Sequence, residues 1–257
     1  MPRLGTDIDM EYVLGFLIAG AVGLTGVGAG SITAPILILF FHLKPAVAVG
    51  TALTFGAVIK LAVLPIYLRR QQVNYRVLLL LCAGGIPGVV LGIQVLKKMS
   101  VEDHERGIFL VLGITIISLS VINLYRWVRK RAASASTDRA VWLPPIAAII
   151  GAEVGISSAG AGALGAVALM SLTTLTPALV VGTDMVFGLT VSTIGSGLHL
   201  FIGHYDAQIL LQLCIGGVLG AVSGALLSSR IPSRALQLVL FLCLIGLGVQ
   251  LCLKAMG

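Results

Sequence analysis

Charge is scarce in this sequence. Of its 257 residues only 11% are Asp, Glu, Lys or Arg, where a soluble globular chain carries about a quarter. That scarcity, with 58% hydrophobic residues and a mean hydropathy of +1.07, excludes a water-covered surface of ordinary size. Cysteines number four, Cys82, Cys214, Cys243 and Cys252, all inside apolar runs. With no CxxC pair and no histidine at ligand spacing they are packing residues, neither a zinc site nor a disulfide framework. The chain has no HExxH, no Ser-His-Asp order and no GxxxxGK[ST]. These absences argue against an enzyme and against nucleotide-driven work within this chain, and they call for no cofactor or metal.

What is there is apolar sequence in series. Ten hydrophobic segments are separated by short polar turns, the arrangement expected of helices in lipid. The net charge of +7 is concentrated at segment ends: Arg69, Arg70 and Arg76 in one loop, and Arg126, Arg129, Lys130, Arg131 and Arg139 in another. Such clusters fit the positive-inside rule for cytoplasmic loops and not a nucleic-acid surface, which would need a folded reader. Only Arg3 precedes the first apolar run and Asp7, Asp9 and Glu11 follow it, a poor signal-peptide pattern, so this segment is expected to be retained.

The chain also repeats itself. Shifted by 132 positions it matches without a gap from Gly23 to about Leu110. Gly28-Ala29-Gly30 falls on Gly160-Ala161-Gly162, Val49-Gly50-Thr51 on Val181-Gly182-Thr183, and Phe55-Gly56 on Phe187-Gly188. Cys82 and Gly84-Gly85 fall on Cys214 and Gly216-Gly217, and Gly88 and Gly92 on Gly220 and Gly224. Constant register over that length indicates internal duplication. A first repeat over 1–128 and a second over 143–257 are then joined by a polar, cytoplasmic linker at 129–142. Each half predicts the same five segments: 11–27, 31–43, 46–68, 76–97 and 106–128, then 143–158, 163–175, 178–203, 207–229 and 234–254. The second segment of each half, at about 20 Å, is shorter than the roughly 30 Å hydrocarbon core, and predicts a broken or re-entrant helix at the glycine-rich motif before it.

Loop charge tests topology. The loop with Arg69, Arg70 and Arg76 is basic, whereas its equivalent, His204-Tyr205-Asp206, has no Lys or Arg; the next loop of the second half carries Arg230 and Arg234. Equivalent loops on opposite sides mean inverted repeats. The expected fold is therefore an all-α integral membrane protein of two inverted repeats, in which a substrate site lies near the midplane at the broken helices. Gly28, Gly30 and Ser31 with Gly50 and Thr51, and Gly160 and Gly162 with Gly182 and Thr183, are the expected binding segments. Free N–H groups at a helix start carry about half a positive charge and favour an anion. Glycines that only permit close helix packing are the competing account.

The order of these motifs resembles the sulfite exporter TauE/SafE family over nearly the whole chain. The resemblance is carried by the glycine-rich break, the short segment, the helix starts at Pro45–Thr51 and Pro177–Thr183, and the Gly-Gly-x-x-Gly-x-x-x-Gly helices at Gly84–Gly92 and Gly216–Gly224. It implies a multi-pass transporter of a bacterial-type inner (plasma) membrane, an exporter of sulfite, sulfonates or organic acids. The sequence departs from the pattern at Val167, which stands opposite Pro35, and at Ala52 and Asp184, which follow the two Gly-Thr pairs.

Three ionisable residues lie inside apolar runs: Lys60, Glu153 and Asp184. A charge at membrane depth costs about 3 kcal/mol or more, which makes each a functional candidate. Their counterparts are Ser192, Ala21 and Ala52, so the site is asymmetric on a symmetric scaffold. Lys60 is the natural anion partner, with snorkelling toward Arg69 as its alternative. Asp184 and Glu153 are the candidates for proton coupling. His199 and His204 are expected at the interface, and His42 and His104 in or beside loops. The function expected is secondary, proton-coupled transport of a small anion by alternating access; a passive anion channel or a transporter of a non-anionic small solute shares the same cues. Beyond substrate, coupling ion and lipid, no partner is called for. The glycine faces could support a homodimer, but packing within the chain uses them more economically.

Overall fold

The computed structural model describes residues 8–25, 29–69, 71–101, 105–128, 139–159, 164–227 and 233–256. Among them there is helix and no strand. The first half contains α1 (Ile8–Thr25), α2 (Ala29–Leu39), α3 (Pro45–Arg69), α4 (Tyr75–Val101) and α5 (Glu105–Val128). The second contains α6 (Leu143–Ser157), α7 (Leu164–Leu172), α8 (Pro177–Ile202), α9 (Ala207–Leu227) and α10 (Ser233–Met256). Both α2 and α7 are short, 11 and 9 residues, because glycine-rich sequence precedes them and their apolar runs end early. Among the described residues six helices are long and apolar enough to cross a membrane, in α3, α4, α6, α8, α9 and α10. Outward apolar side chains such as Leu79, Ile149, Phe201 and Leu219 stay exposed, which only lipid tolerates in such number.

Glycine sets the closest helix contacts. Gly84, Gly88 and Gly92 of α4 rest on the backbone of Pro144, Ala148 and Ala152 of α6, leaving no room for a Cβ. In α9, Gly216, Gly220 and Gly224 rest in the same way on Tyr12, Phe16 and Gly20 of α1. Adding 132 to each residue of the first half turns one set into the other. The exchange continues elsewhere. The Phe187 ring covers Gly85 and the Phe55 ring covers Gly217, while the carbonyl of His204 closes over Gly50 and that of Gln72 over Gly182. Each half thus supplies the helix on which the other half's glycine face packs, and small residues let the backbones approach.

Direction follows from the same contacts. In both glycine-mediated pairs residue numbers rise together, so α1 runs parallel to α9 and α4 to α6. The equivalent helices α3 and α8 run antiparallel, with Gly50 beside His199, Leu53 beside Gly195, and Lys60 beside Ser192. So do α5 and α10, where Gly113 meets Cys252 and Ile117 meets Gly248. The end of α2 is held by Lys254 of α10, whose Nζ donates to the Ile38 carbonyl at 3.3 Å and lies 5.2 Å from the Phe109 ring. A cation there offsets the negative end of the helix dipole.

Candidate functional site

The antiparallel pair α3 and α8 forms the centre, and its polar residues are buried. Lys60 is 6% exposed and donates from Nζ to Ser192 Oγ at 3.2 Å. These residues are 132 apart, so they hold the same register position in the two repeats. The ammonium turns inward rather than snorkelling toward Arg69. Pro65 within α3 cannot donate to the Leu61 carbonyl, which leaves polar backbone one turn beyond Lys60. Asp184, also buried, interacts electrostatically with Lys60, and its Oδ1 has no hydrogen-bond partner among the described residues.

The short helices bring their first turns to this pair. Ala29 and Gly30 of α2 lie against Gly56 of α3, one turn before Lys60. Gly30 also meets the end of α6, where Ser158 Oγ donates to the Gly30 carbonyl at 3.0 Å. Ser31 is buried on the same turn. On the other side Gly165, near the start of α7, rests directly on the Asp184 carboxylate. Lys60 therefore lies one turn from the start of α2, and Asp184 beside the start of α7.

Glu153 lies near the end of α6. Ser157 donates to its Oε1 and in turn accepts from the Ala159 N–H at 3.1 Å, which orders the chain leaving α6. Ser158 then takes a left-handed conformation with φ 61°. Its sequence counterpart is Gly26, the residue type such a conformation favours. Ser158 is a site residue that the sequence did not single out, and Ser192 was named only as the non-ionisable counterpart of Lys60. The offset of 132 from Gly26 was the signal that could have found Ser158.

Several expected positions differ in place or role. Gly28, Gly160 and Gly162 lie outside the described residues. Gly50 and Gly182 are not at helix interruptions: α3 and α8 run unbroken through them, so their N–H groups are inside helices. Glycine stands there because a loop carbonyl closes on it, the packing alternative. Thr51 and Thr183 tie loops to helices. Thr51 Oγ1 accepts from the Asp206 N–H at 3.0 Å, and Thr183 Oγ1 from the Asn74 N–H at 2.9 Å. His199 is fully buried rather than interfacial, beside His204, Gly50 and the backbone of Gly155. Among the described residues no group of three or more His, Cys, Asp or Glu is placed to hold a metal.

A buried cation and a buried carboxylate thus interact within a largely apolar helical body. The model of the sulfite exporter TauE/SafE family matches residues 12–251. The chain belongs to that family. Its relatives include the probable membrane transporter protein YjnA of Bacillus subtilis (strain 168), 28% identical over 93% of this chain and 97% of the relative. The probable membrane transporter protein YunE of the same organism is 29% identical over 93% and 95%, and YdhB, named likewise, 24% over 88% and 93%. No solved structure matches the chain significantly. Family and helices together make this TauE/SafE protein a multi-pass integral membrane protein, a membrane transporter of a bacterial-type plasma membrane.

Proposed function

We propose that this TauE/SafE protein is a secondary transporter of small oxyanions such as sulfite, sulfonates or organic acids. It works by alternating access between two inverted repeats and is coupled to protons. The observation that carries the proposal is the Lys60–Ser192 contact, a buried ammonium bonded to the residue at its own register position in the other repeat. An ammonium desolvated by protein attracts an anion far more strongly than one in water. The first turn of α2, one helical turn from Lys60, adds donors, with Gly30 and Ser31 nearest.

Asp184 completes the cycle. While ionised it balances Lys60 and competes with substrate; once protonated it is neutral and releases Lys60 to the anion. Proton and anion then share one compartment change, which is coupling expressed as electrostatics. Glu153, fixed to Ser157, holds the second break while the site changes its access. Inversion is supported by the antiparallel run of the equivalent helices α3 and α8, and of α5 and α10. A two-fold axis in the membrane plane produces that arrangement, and one along the membrane normal does not.

The test is accumulation in proteoliposomes. Labelled sulfite, sulfate, taurine and acetate are offered in turn under an imposed pH gradient. A coupled transporter concentrates one of them above its outside level and stops when the gradient is collapsed. Flux that only equilibrates the anion, whatever the gradient, identifies a channel and rejects coupling. Transport of none of them rejects the anion reading.

A further inference from the structure

One helix carries a polar file that the substrate site does not use up. Asp184, Ser192, Ser196 and His199 of α8 are each 6% exposed or less. At 100° per residue they fall within about 120° of one another, and the file is roughly 22 Å long. The aligned residues of α3 are Ala52, Lys60, Leu64 and Tyr67, so the other half has no such row. Lys60 enters the file from the side, through Ser192.

The file reaches the end of the helix through a histidine pair. His199 and His204 have ring centroids 5.7 Å apart, tilted by 43°. His199 has only the backbone of Gly155 as a hydrogen-bond partner, and neither His204 Nδ1 nor Asp184 Oδ1 has one among the described residues. A buried polar atom left without a partner is destabilising, so apolar side chains would pack this face better. The charged groups facing the file from packed elements are Lys60 of α3, toward Asp184, and Lys97 of α4, toward His204. Around His199, α3 and α6 present the backbone at Gly50 and Gly155; beside Asp184, α7 presents Gly165. Opposite His204 in the first half stands Gln72, which makes the equivalent backbone contact but cannot carry a proton.

We propose that the polar file of α8 is the route of the coupling proton, entered at His204 and His199 and ending on Asp184. This rests on the proton-coupled reading above. Each imidazole accepts a proton on one nitrogen and releases the proton held on the other. One positive charge therefore moves along the pair, and no bond between heavy atoms forms or breaks. Ser196, Ser192 and the Lys60 ammonium lie between His199 and the carboxylate, at about one helical turn per step. The proton that arrives neutralises Asp184. Burial, and then Lys97, holds the His204 pKa below the usual histidine range, which suits a group that passes a proton on rather than storing it.

The experiment compares wild type, His199→Gln and His204→Gln in proteoliposomes, with labelled sulfite, sulfate, taurine and acetate as probes. Two rates are read: pH-driven accumulation, and anion exchange at equal pH on both sides. Glutamine keeps a polar side chain at both sites and is native at the equivalent position 72. For His199→Gln the expected result is a fall in driven accumulation of at least about tenfold, with exchange kept within about twofold. For His204→Gln driven accumulation slows and loses its dependence on outside pH. Variants that accumulate like wild type overturn the route. So does a parallel fall of both rates in both variants, which marks the histidines as structural. A wild type that exchanges an anion but ignores the pH gradient, or carries none of the four, overturns the coupled reading itself and the route with it.

Discussion

Gly88→Ala tests whether the two halves are held together by glycine faces. An added Cβ at Gly88 would overlap the Ala148 carbonyl oxygen and stand 3.0 Å from Ala148 Cα and 2.9 Å from its carbonyl carbon. All three are backbone atoms of α6, so no side-chain rotation relieves the clash, and the helices must separate. Opening such an interface by about 0.5–1 Å forfeits roughly a quarter to a half of each dispersion contact along it. The expected loss is about 1–3 kcal/mol. At this chain length that lowers the melting temperature by roughly 2–6 °C. Gly220→Ala should cost the same, since Phe16 backbone stands over it as Ala148 stands over Gly88. Gly246 is the control: nothing lies within 4 Å of its would-be Cβ, so alanine there should stabilise α10 by about 0.5–1 kcal/mol. The assay is thermal unfolding in one detergent. Equal melting temperatures for Gly88→Ala and Gly246→Ala would refute the account of the α4–α6 interface.

Three further outcomes are expected. Ser158→Ala keeps the left-handed strain and loses the bond to Gly30, so it should cost about 1 kcal/mol more than Ser158→Gly, which relieves that strain; paired melting curves give the difference. Thr183→Val leaves the Asn74 N–H without its acceptor and should destabilise by about 1–3 kcal/mol, read as faster hydrogen exchange in the loop before α4. His204 has a pKa below its unfolded value, so the unfolded chain binds more protons as pH falls. The stabilisation is full above the unfolded pKa of about 6.5 and is lost as pH falls through the folded value. Melting between pH 7 and pH 5 should therefore decline less steeply in His204→Gln than in wild type.

Much of the fold was legible because lipid allows few solutions. Apolar runs had to be helices, and glycine-rich sequence had to end them, so the ten expected segments match α1 to α10 closely. The register of Gly84, Gly88 and Gly92 against Gly216, Gly220 and Gly224 was visible as a repeat. That each set packs on the first helix of the opposite half was not, because a repeat fixes register and says nothing of pairing. Gly50 and Gly182 show why the site was less legible. Glycine marks a break or a close approach, and only the chain path distinguishes them. Thr51 and Thr183 carry hydroxyls suited to a ligand, yet their partners are loop N–H groups 155 and 109 residues away. Lys60 was found because a charge in an apolar run has to be explained. Ser192 was seen only as its counterpart, and not as its partner, because a serine in an apolar run needs no explanation.

The central claim is that Lys60 binds the anion. Equilibrium binding of labelled sulfite and of the other panel anions to purified protein, wild type beside Lys60→Met, tests it most directly. Methionine keeps the stem's volume and removes the charge. The account predicts saturable binding in wild type, weakened in the variant by at least about tenfold, or about 1.4 kcal/mol, with the melting temperature held. Binding of equal strength in both proteins would contradict it and leave the ammonium as nothing more than Ser192's partner.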